Sequence, residues 1–298
     1  MPPIRPLDEH AVSGRLRLLD LTEPPSRSRN ELLLTISAHY ASQGVLGQRS
    51  APALHERCPD AEACWKQLPV DARPRHRDSW GFAQDRAGSI VWPWVGRRYQ
   101  TGGVAVAGLN LRTSWEEASV ALEYMIAEND RKQFVEGRRR SRKRSDFAYR
   151  SMSAAAAIIA SREEEKLRSD PSPDSLVTVM DQVARVQLVK CNPSADVVDR
   201  GSPSATMCER CPDRFLLAEL EVLEPSVLVM FGYDAFRAMN NRSEVRWRSQ
   251  RDYFARGTWA SPGQEAELFW LPHPAGSQWS YGYDSLIRSL RGRRVGTP

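Results

Sequence analysis

The most informative segment of the chain is Val186-Gln187-Leu188-Val189-Lys190-Cys191, which continues into Asn192-Pro193. It is short and mostly apolar, and an Asn-Pro pair closes it, which is typical of a buried strand that ends in a loop. In α/β folds, ligands bind at the loops that follow the carboxyl ends of the strands. Residues 104–112 and 268–277 show the same change from an apolar run to a polar loop. We therefore expect these three junctions to be neighbours and to form one site.

The composition is that of an ordinary globular protein. The 298 residues are 41% hydrophobic, which is too apolar for a disordered protein and enough for one large domain or two modest ones. No apolar run approaches the ~20 residues that a membrane span needs, and the first residues lack the apolar core of a signal peptide. We therefore expect a cytoplasmic protein that does not bind membranes.

Positive charge is dense in one internal segment and recurs near the C-terminus, in Arg288, Arg291, Arg293 and Arg294. The net charge is +5, and six of the seven residues from 138 to 144 are cations. Such a run is either a solvated loop or a segment that contacts phosphates, and composition alone favours neither. The six cations are Arg138, Arg139, Arg140, Arg142, Lys143 and Arg144.

The five cysteines fall into two groups. Cys58 and Cys64 form the first group, and Cys191, Cys208 and Cys211 form the second. A cytoplasmic location argues against a disulfide framework. The grouping favours a metal or cluster site closed by two distant segments, although the C-x2-C pair of Cys208 and Cys211 could also be half of a zinc site.

Apolar runs and helix signals alternate along the chain. Thr113-x-x-Glu116 is a capping box, which predicts a helix over residues 115–134, and an Ala-rich segment favours another helix over about 147–168. Strands alternating with helices predict an α/β fold, with a central parallel four-stranded sheet flanked by helices and a basic helical insertion at about 115–170. The predicted strands are residues 104–107, 186–191, 227–231 and 268–271, and the other predicted helices are residues 31–42, 175–184, 211–223 and 284–291.

The same pattern divides the chain into three regions. Residues 1–29 are rich in Pro, Ser and Arg and are expected to be poorly ordered. Residues 30–100 are expected to form a helical and loop-rich extension that carries the first cysteine pair. Residues 101–298 are expected to form the α/β domain, including the basic insertion.

Five short features follow one another in a recognisable order. A strand ends in Gly108-Leu109-Asn110, a second ends in V-K-C-N-P, a cysteine-bearing helix follows, a third strand ends in Phe231-Gly232, and the last ends in H-P-A-G-S at residues 273–277. This order resembles the uracil-DNA glycosylase superfamily, particularly its iron–sulfur branches, over roughly residues 100–298. The resemblance implies a monofunctional DNA glycosylase, which flips a base, hydrolyses its N-glycosidic bond and leaves an abasic site.

The resemblance assigns two catalytic residues. His273 matches the histidine after the last strand, which would donate a hydrogen bond to the departing base. Asn110 matches the Asn of the G-x-N-P-G loop in the mismatch-specific and single-strand-selective branches, where it would hold the attacking water. The iron–sulfur branches typically have G-E-A-P-G there, so the chain combines features of different branches. Leu111 and Arg112 replace the Pro-Gly pair of both patterns.

The base pocket implied by the resemblance differs from the family pattern at one residue. Many iron–sulfur members have N-V-V-K-C in the central strand, where the Asn recognises the pyrimidine edge, and Gln187 replaces that Asn here. Gln keeps the amide but is one methylene longer, so it would crowd uracil. Uracil or another deaminated base and a modified base, such as one in bacteriophage DNA, both stay open as substrates, and the second implies antiviral defence. The implied base-binding residues are Gly108, Leu109, Gln187 and Asn192.

Further residues are expected to contact DNA. A loop after the H-P motif inserts a wedge in this family, and Gln278, Trp279 and Tyr281 occupy that stretch. Trp279 is the best apolar wedge, with packing against the last helix as the alternative. The expected DNA contacts are the basic run 138–144 with Arg112, Lys190, Ser277, Gln278 and Trp279, and Arg288 and Arg291 are also expected to contact phosphates.

The resemblance also implies a cofactor. Cys58, Cys64 and Cys191 with Cys211 would hold a [4Fe-4S] cluster, with Cys208 as the alternative fourth ligand and zinc as the alternative metal. No organic cofactor is expected, and the protein is expected to act on DNA as a monomer. The rival interpretation is a non-catalytic nucleic-acid-binding protein on the same fold. A nucleotide-binding enzyme is disfavoured because no G-x-G-x-x-G follows any predicted strand.

Overall fold

The computed structural model of the chain describes residues 27–45, 57–70, 93–109, 147–163, 173–191, 193 and 202–295. The strands in this part of the chain are β1 (Trp94–Val95), β2 (Val104–Gly108), β3 (Val183–Gln187), β4 (Val227–Phe231), β5 (Val245–Arg251), β6 (Phe254–Ser261) and β7 (Gln264–Leu271). The helices are α1 (Arg27–Ser42), α2 (Ala61–Lys66), α3 (Phe147–Arg162), α4 (Pro173–Gln182), α5 (Ala205–Cys211), α6 (Leu217–Leu223), α7 (Tyr233–Asn240) and α8 (Trp279–Val295), and a π-helical turn (Pro212–Leu216) joins α5 to α6.

The strands form one mixed sheet in the order β1-β3-β2-β4-β7-β6-β5. β2, β4 and β7 are parallel neighbours, with Val104 opposite Val227 and Val227 opposite Glu267. β6 and β5 then continue the sheet in antiparallel fashion. The predicted α/β class is confirmed, and the four predicted strands are present side by side as β3, β2, β4 and β7. The predicted count of four is too low, because the sheet formed by the described residues has seven strands and an antiparallel edge.

The antiparallel edge escaped prediction because its sequence is polar. β5 contains three arginines, and most of its residues are exposed, so it lacks the continuous apolar run of a buried strand. Its pairing with β6 contains an irregularity between Trp247 and Ser249. Charged side chains and bulges are the features that keep an edge strand from pairing with other chains.

Several element boundaries also differ from prediction, most of all at β3 and at α8. The strand expected over residues 186–191 is β3, Val183–Gln187, so it begins and ends earlier, and Leu188 to Cys191 remain buried beyond its end. The helix expected over residues 284–291 is α8, which begins at Trp279. The expected helix over residues 115–134 lies outside the described residues.

The described residues divide into two compact units. The cysteine unit contains residues 27–45, 57–70, 93–97, 187–191, 193 and 202–222, and the sheet unit contains residues 98–109, 147–163, 173–186 and 223–295. Both units combine segments that are distant in sequence. The predicted division into three consecutive regions stays a prediction. No helix in the described part of the chain is long and apolar enough to cross a membrane.

The centre of the sheet unit is apolar on both faces. Every residue of β2 and β4 is buried, as expected for parallel strands covered by helices. Tyr99, which precedes β2, is fully buried, and its hydroxyl donates to the Leu223 carbonyl oxygen over 2.9 Å. This arrangement leaves the carboxyl ends of β2, β4 and β7 at one edge of the sheet.

The β5–β6 hairpin requires a glycine at position 257. An added Cβ there would overlap the Arg246 carbonyl group and lie 3.0 Å from Trp247 Cα. We predict that Gly257→Ala lowers the free energy of unfolding by about 1–3 kcal/mol, measured by urea denaturation, because the backbone must shift to admit the methyl group.

Gly292 in α8 provides the matched control. An added Cβ at this position meets nothing within 4 Å. Gly292→Ala should therefore leave stability unchanged or raise it by up to about 1 kcal/mol, because Ala favours the helix. Equal effects of the two substitutions would contradict the steric role of Gly257.

Candidate active site and cysteine cavity

His273 lies in the loop that follows β7, and its side chain is exposed. The backbone N–H of Ala275 donates to Nδ1 of this histidine over 3.2 Å. A ring nitrogen that accepts a hydrogen bond carries no proton, so the neutral ring has its proton on Nε2. In this tautomer Nε2 is the donor of His273, and the predicted hydrogen bond to a departing base stays a prediction.

The histidine loop is held by backbone hydrogen bonds and one arginine. The Gly276 N–H donates to the His273 carbonyl oxygen over 2.7 Å. Arg150 of α3 donates from Nη1 to the Pro274 carbonyl oxygen and, over 3.4 Å, to that of Gly276. Burial lowers the pKa of the half-buried Arg150. Sequence reasoning missed this residue because nothing in α3 points to a loop 124 residues away.

Aromatic packing and a close backbone approach complete the surroundings of His273. The ring of Phe147 lies 5.3 Å from the imidazole, centroid to centroid, and also contacts Phe231 edge-on at 5.9 Å. Gly232 has a φ of +91°, and its N–H donates to the Leu271 carbonyl oxygen over 2.9 Å. The positive φ explains why the motif after β4 contains glycine.

Several predicted site residues lie outside the described part of the chain. They are Asn110, Arg112, Asn192 and the whole basic run from Arg138 to Arg144. Gly108 and Leu109 are described, at the carboxyl end of β2, and both are buried. Their predicted contact with the base stays a prediction.

Gln187 is a buried side chain with an unsatisfied oxygen. It is the last residue of β3 and is 5% exposed. Its Oε1 accepts no hydrogen bond from the described residues. A buried acceptor without a partner costs about 1–3 kcal/mol, which favours a polar ligand for this amide.

Four of the five cysteines line one small cavity in the cysteine unit. They are Cys58, Cys64, Cys191 and Cys211, as the sequence predicts, and Cys208 is absent from the lining. Trp65, Met207 and Phe215 supply apolar walls. The structure therefore favours Cys211 over Cys208 as the fourth sulfur.

Ion pairs and a helix cap bring the two cysteine groups together. The Asp60 carboxylate, between Cys58 and Cys64 in sequence, accepts from Arg210 over 2.9 Å and from Arg214 over 2.5 Å. Burial raises the pKa of Asp60, but these two hydrogen bonds outweigh it and lower the pKa overall. Ser204 caps α5 by accepting from Met207 N–H and donates to the Cys64 carbonyl oxygen over 2.7 Å.

The thiols share an environment that disfavours thiolates. Burial and the neighbouring cysteines raise the pKa of Cys191 well above its usual range, and burial followed by Cys58 raises that of Cys64 to about 11. Burial likewise raises the pKa of Cys211 to about 12, although the Lys190 backbone N–H donates to its Sγ over 3.2 Å. A bound cation would reverse this preference by replacing the protons.

The donor set therefore fits a metal or cluster, although it is not a preformed coordination sphere. Within the described stretches, no group of three or more His, Cys, Asp or Glu side chains is arranged to hold a metal ion. The fit rests on four thiols around one cavity, three of them buried, and on the backbone hydrogen bond to a sulfur.

A model of the uracil DNA glycosylase superfamily matches residues 117–287. The chain belongs to the uracil DNA glycosylase superfamily. The matched range is more than half of the chain and includes the V-K-C and H-P motifs, but it begins after Asn110. A search of curated proteins finds no match. Membership supports DNA glycosylase activity and DNA binding in general.

Lys190 of this glycosylase-family chain does not contact DNA as predicted. Its side chain is fully buried, and Nζ lies 2.5 Å from Glu219 Oε2. The Tyr40 hydroxyl donates to the other oxygen of the same carboxylate. The prediction is wrong because an ammonium group that is fully buried and paired with Glu219, 29 residues further along, is not available to a phosphate.

The structure also corrects the predicted wedge. Trp279 is only 7% exposed, and its ring stacks on Tyr283 at 5.5 Å with an interplanar angle of 18°. It also packs against Phe231 at 6.0 Å. The structure supports the packing alternative for Trp279. Ser277 and Gln278 are exposed, and their DNA contacts stay predictions.

We predict that truncating the buried Lys190–Glu219 ion pair lowers the free energy of unfolding far more than truncating an exposed ion pair. Lys190→Ala leaves the Glu219 carboxylate buried without its counter-ion, so it should lower the free energy of unfolding by about 3–5 kcal/mol. The measurement is urea denaturation followed by circular dichroism.

Arg248→Ala is the matched control. Arg248 Nη2 and Glu265 Oε1 lie 3.8 Å apart, and both side chains are 65% exposed. Removing this pair should cost less than about 1 kcal/mol. Equal losses for the two variants would contradict the structural role of the buried pair.

Proposed function

We propose that the protein is a monofunctional DNA glycosylase that flips a damaged or modified base and hydrolyses its N-glycosidic bond. The observation that carries this proposal is the hydrogen bond from Ala275 N–H to His273 Nδ1, which sets the histidine to donate from Nε2. The proposal rests equally on the family to which the chain belongs. The product is an abasic site with an intact phosphodiester backbone.

The proposed chemistry assigns a distinct task to His273. As the bond between the sugar and the base breaks, the base leaves with the electron pair and becomes an anion. The Nε2–H donates a hydrogen bond to an oxygen of that base, which stabilises the anion without transferring the proton. Arg150 acts as a positioning residue, because it holds two carbonyl groups of the histidine loop.

Asn110 is proposed to orient the water that completes the reaction. The water oxygen bonds to the anomeric carbon of the sugar as the base departs, and the water releases a proton to solvent. The base anion takes up a proton from solvent, so the overall reaction is hydrolysis. An amide orients water but is too weak a base to remove its proton.

Gln187 is the residue proposed to select the base. Its buried, unsatisfied Oε1 suits an N–H donor on a base edge. The extra methylene relative to Asn argues for a pocket that differs from a uracil pocket. A deaminated base in DNA repair and a modified base of bacteriophage DNA both satisfy this chemistry.

We also propose that Cys58, Cys64, Cys191 and Cys211 hold a [4Fe-4S] cluster, with zinc as the alternative. These four thiols line one cavity. Such a cluster supplies a covalent cross-link among segments that are distant in sequence. Its proposed role is structural, as no residue of the proposed hydrolysis requires electron transfer.

The proposed chemistry predicts selective loss of turnover in two variants. His273→Ala should lower turnover by about 10²–10³-fold, because it removes a donor aimed at developing charge. Asn110→Ala should also lower turnover, and both variants should keep their affinity for DNA. Purified protein is incubated with DNA containing uracil, hypoxanthine or a bulky modified cytosine, and abasic sites are cleaved with alkali.

Val70→Ala serves as the control, since Val70 is 77% exposed in the cysteine unit. It should leave turnover unchanged. Intact DNA binding with no abasic product from any of the three bases would support the rival, a non-catalytic nucleic-acid-binding protein.

The cluster proposal predicts different outcomes for two neighbouring cysteines. Cys211→Ser should lose bound iron and the broad visible absorption of an iron–sulfur cluster, whereas Cys208→Ser should keep both. Iron and zinc are measured in protein purified without oxygen. Bound zinc without visible absorption would show that the site holds zinc, the alternative metal.

The raised thiol pKa values give this prediction a pH dependence. Binding of the metal must displace thiol protons, so metal-free protein should release protons on loading and bind more weakly as the pH is lowered. Equal retention of metal by Cys211→Ser and Cys208→Ser would contradict the proposed ligand set.

A further inference from the structure

Two exposed tyrosines stack on each other in the sheet unit. Tyr253 lies in the turn between β5 and β6, and Tyr281 lies in the first turn of α8. Their ring centroids are 5.7 Å apart with an interplanar angle of 28°, and the residues are 40% and 63% exposed. The two rings cover one face of each other, so a large part of the Tyr281 ring still faces solvent.

A close approach of three segments places this pair beside the histidine loop. Gly282 is buried, and an added Cβ would overlap the ring of Pro272 and lie 2.6 Å from the Tyr253 carbonyl oxygen. Pro272 directly precedes His273, and Tyr281 directly precedes Gly282. The hairpin turn, the start of α8 and the beginning of the histidine loop therefore meet at this glycine.

The charged residues next to the tyrosines in sequence are of both signs. Arg251 and Asp252 precede Tyr253, Asp284 and Arg288 follow Tyr281, and all four are exposed. Arg288 donates a hydrogen bond to Ser285 Oγ over 3.0 Å. The feature that distinguishes Tyr253 and Tyr281 is therefore their stacked, exposed aromatic surface.

We propose that Tyr253 and Tyr281 form a stacking platform for an unpaired nucleobase of DNA, close to the base that is excised. This inference rests on the proposed function, because it assumes that the protein binds DNA. A base in a duplex has both faces covered by neighbouring base pairs, so only an unpaired base can extend the tyrosine stack. The platform therefore indicates that the substrate is single-stranded or locally unpaired DNA.

Stacking on aromatic side chains has a distinct energetic signature. It contributes affinity for any of the four bases and does not depend on phosphate neutralisation. Removal of the platform should weaken binding of single strands while leaving the salt dependence of binding unchanged. A phosphate-binding role would instead change that salt dependence.

The test uses the full chain and a short single-stranded DNA that contains 2-aminopurine, whose fluorescence falls on stacking. The wild type should quench this fluorescence. Tyr281→Ala should bind the single strand roughly tenfold more weakly and lose the quenching, because stacking on one aromatic ring accounts for about that factor. The affinity for a fully paired duplex of the same sequence should stay within about twofold of the wild type.

Conservative variants separate stacking from other roles. Tyr281→Phe and Tyr253→Phe keep an aromatic ring and should retain both affinity and quenching, whereas Tyr253→Ala should behave like Tyr281→Ala. Thermal unfolding verifies that each variant is folded. Normal single-strand binding by Tyr281→Ala, or equal losses for single strand and duplex, would overturn the platform.

The outcomes also separate this inference from the proposed enzymatic activity, because quenching requires no turnover. A protein that quenches through Tyr281 but forms no abasic site supports the platform and refutes the glycosylase. A protein that excises a base from single strands equally well with and without Tyr281 refutes the platform alone.

Discussion

The buried ion pair between Lys190 and Glu219 constrains the cysteine unit more than any other interaction described. A charged ammonium group without a counter-ion is too costly to bury, so the position of Glu219 follows from that of Lys190. The second carboxylate oxygen is taken by the Tyr40 hydroxyl, which joins α1 to the same point. Burial raises the pKa of Glu219, although Lys190 lowers it, so the pair serves to fix geometry more than to add stability.

This constraint reaches the cysteine cavity through the backbone of the lysine. The Lys190 N–H donates to Cys211 Sγ, and the next residue is Cys191. The V-K-C motif therefore has two structural roles. The Lys190 side chain pairs with Glu219, and the Lys190 N–H and the Cys191 thiol contribute to the cysteine cavity. Prediction of Lys190 as a DNA contact failed because the motif shows the lysine but not its partner on α6.

The choice of Cys211 over Cys208, made from the sequence, has a further argument in helix spacing. Met207, Cys211 and Phe215 are spaced at i, i+4 and i+8, and all three line the cavity. That spacing marks one face of a helix, while Cys208 lies off it. This spacing argument was not open to sequence reasoning, because the predicted helix began at Cys211 and the structure begins α5 at Ala205.

The parts of the sheet that could be predicted are those whose residues are uniformly apolar. β4 was predicted with its observed bounds, and β7 was found from its last four residues because its first half is polar. The same reasoning located His273 correctly after a buried strand. It failed for Trp279, because α8 begins at that residue and turns its ring into the core.

The antiparallel edge shows why a strand that sequence patterns miss can still matter for function. β5 is exposed and rich in arginine, and its pairing with β6 creates the turn that carries Tyr253. Gly282 then lets that turn approach the start of α8 and Pro272. The Tyr253–Tyr281 pair beside the histidine loop thus depends on Gly282, which has no side chain, and on β5 and β6, which are antiparallel. Such a pair can distinguish unpaired from paired DNA without charge, because a base face is available only when the base has left its stack.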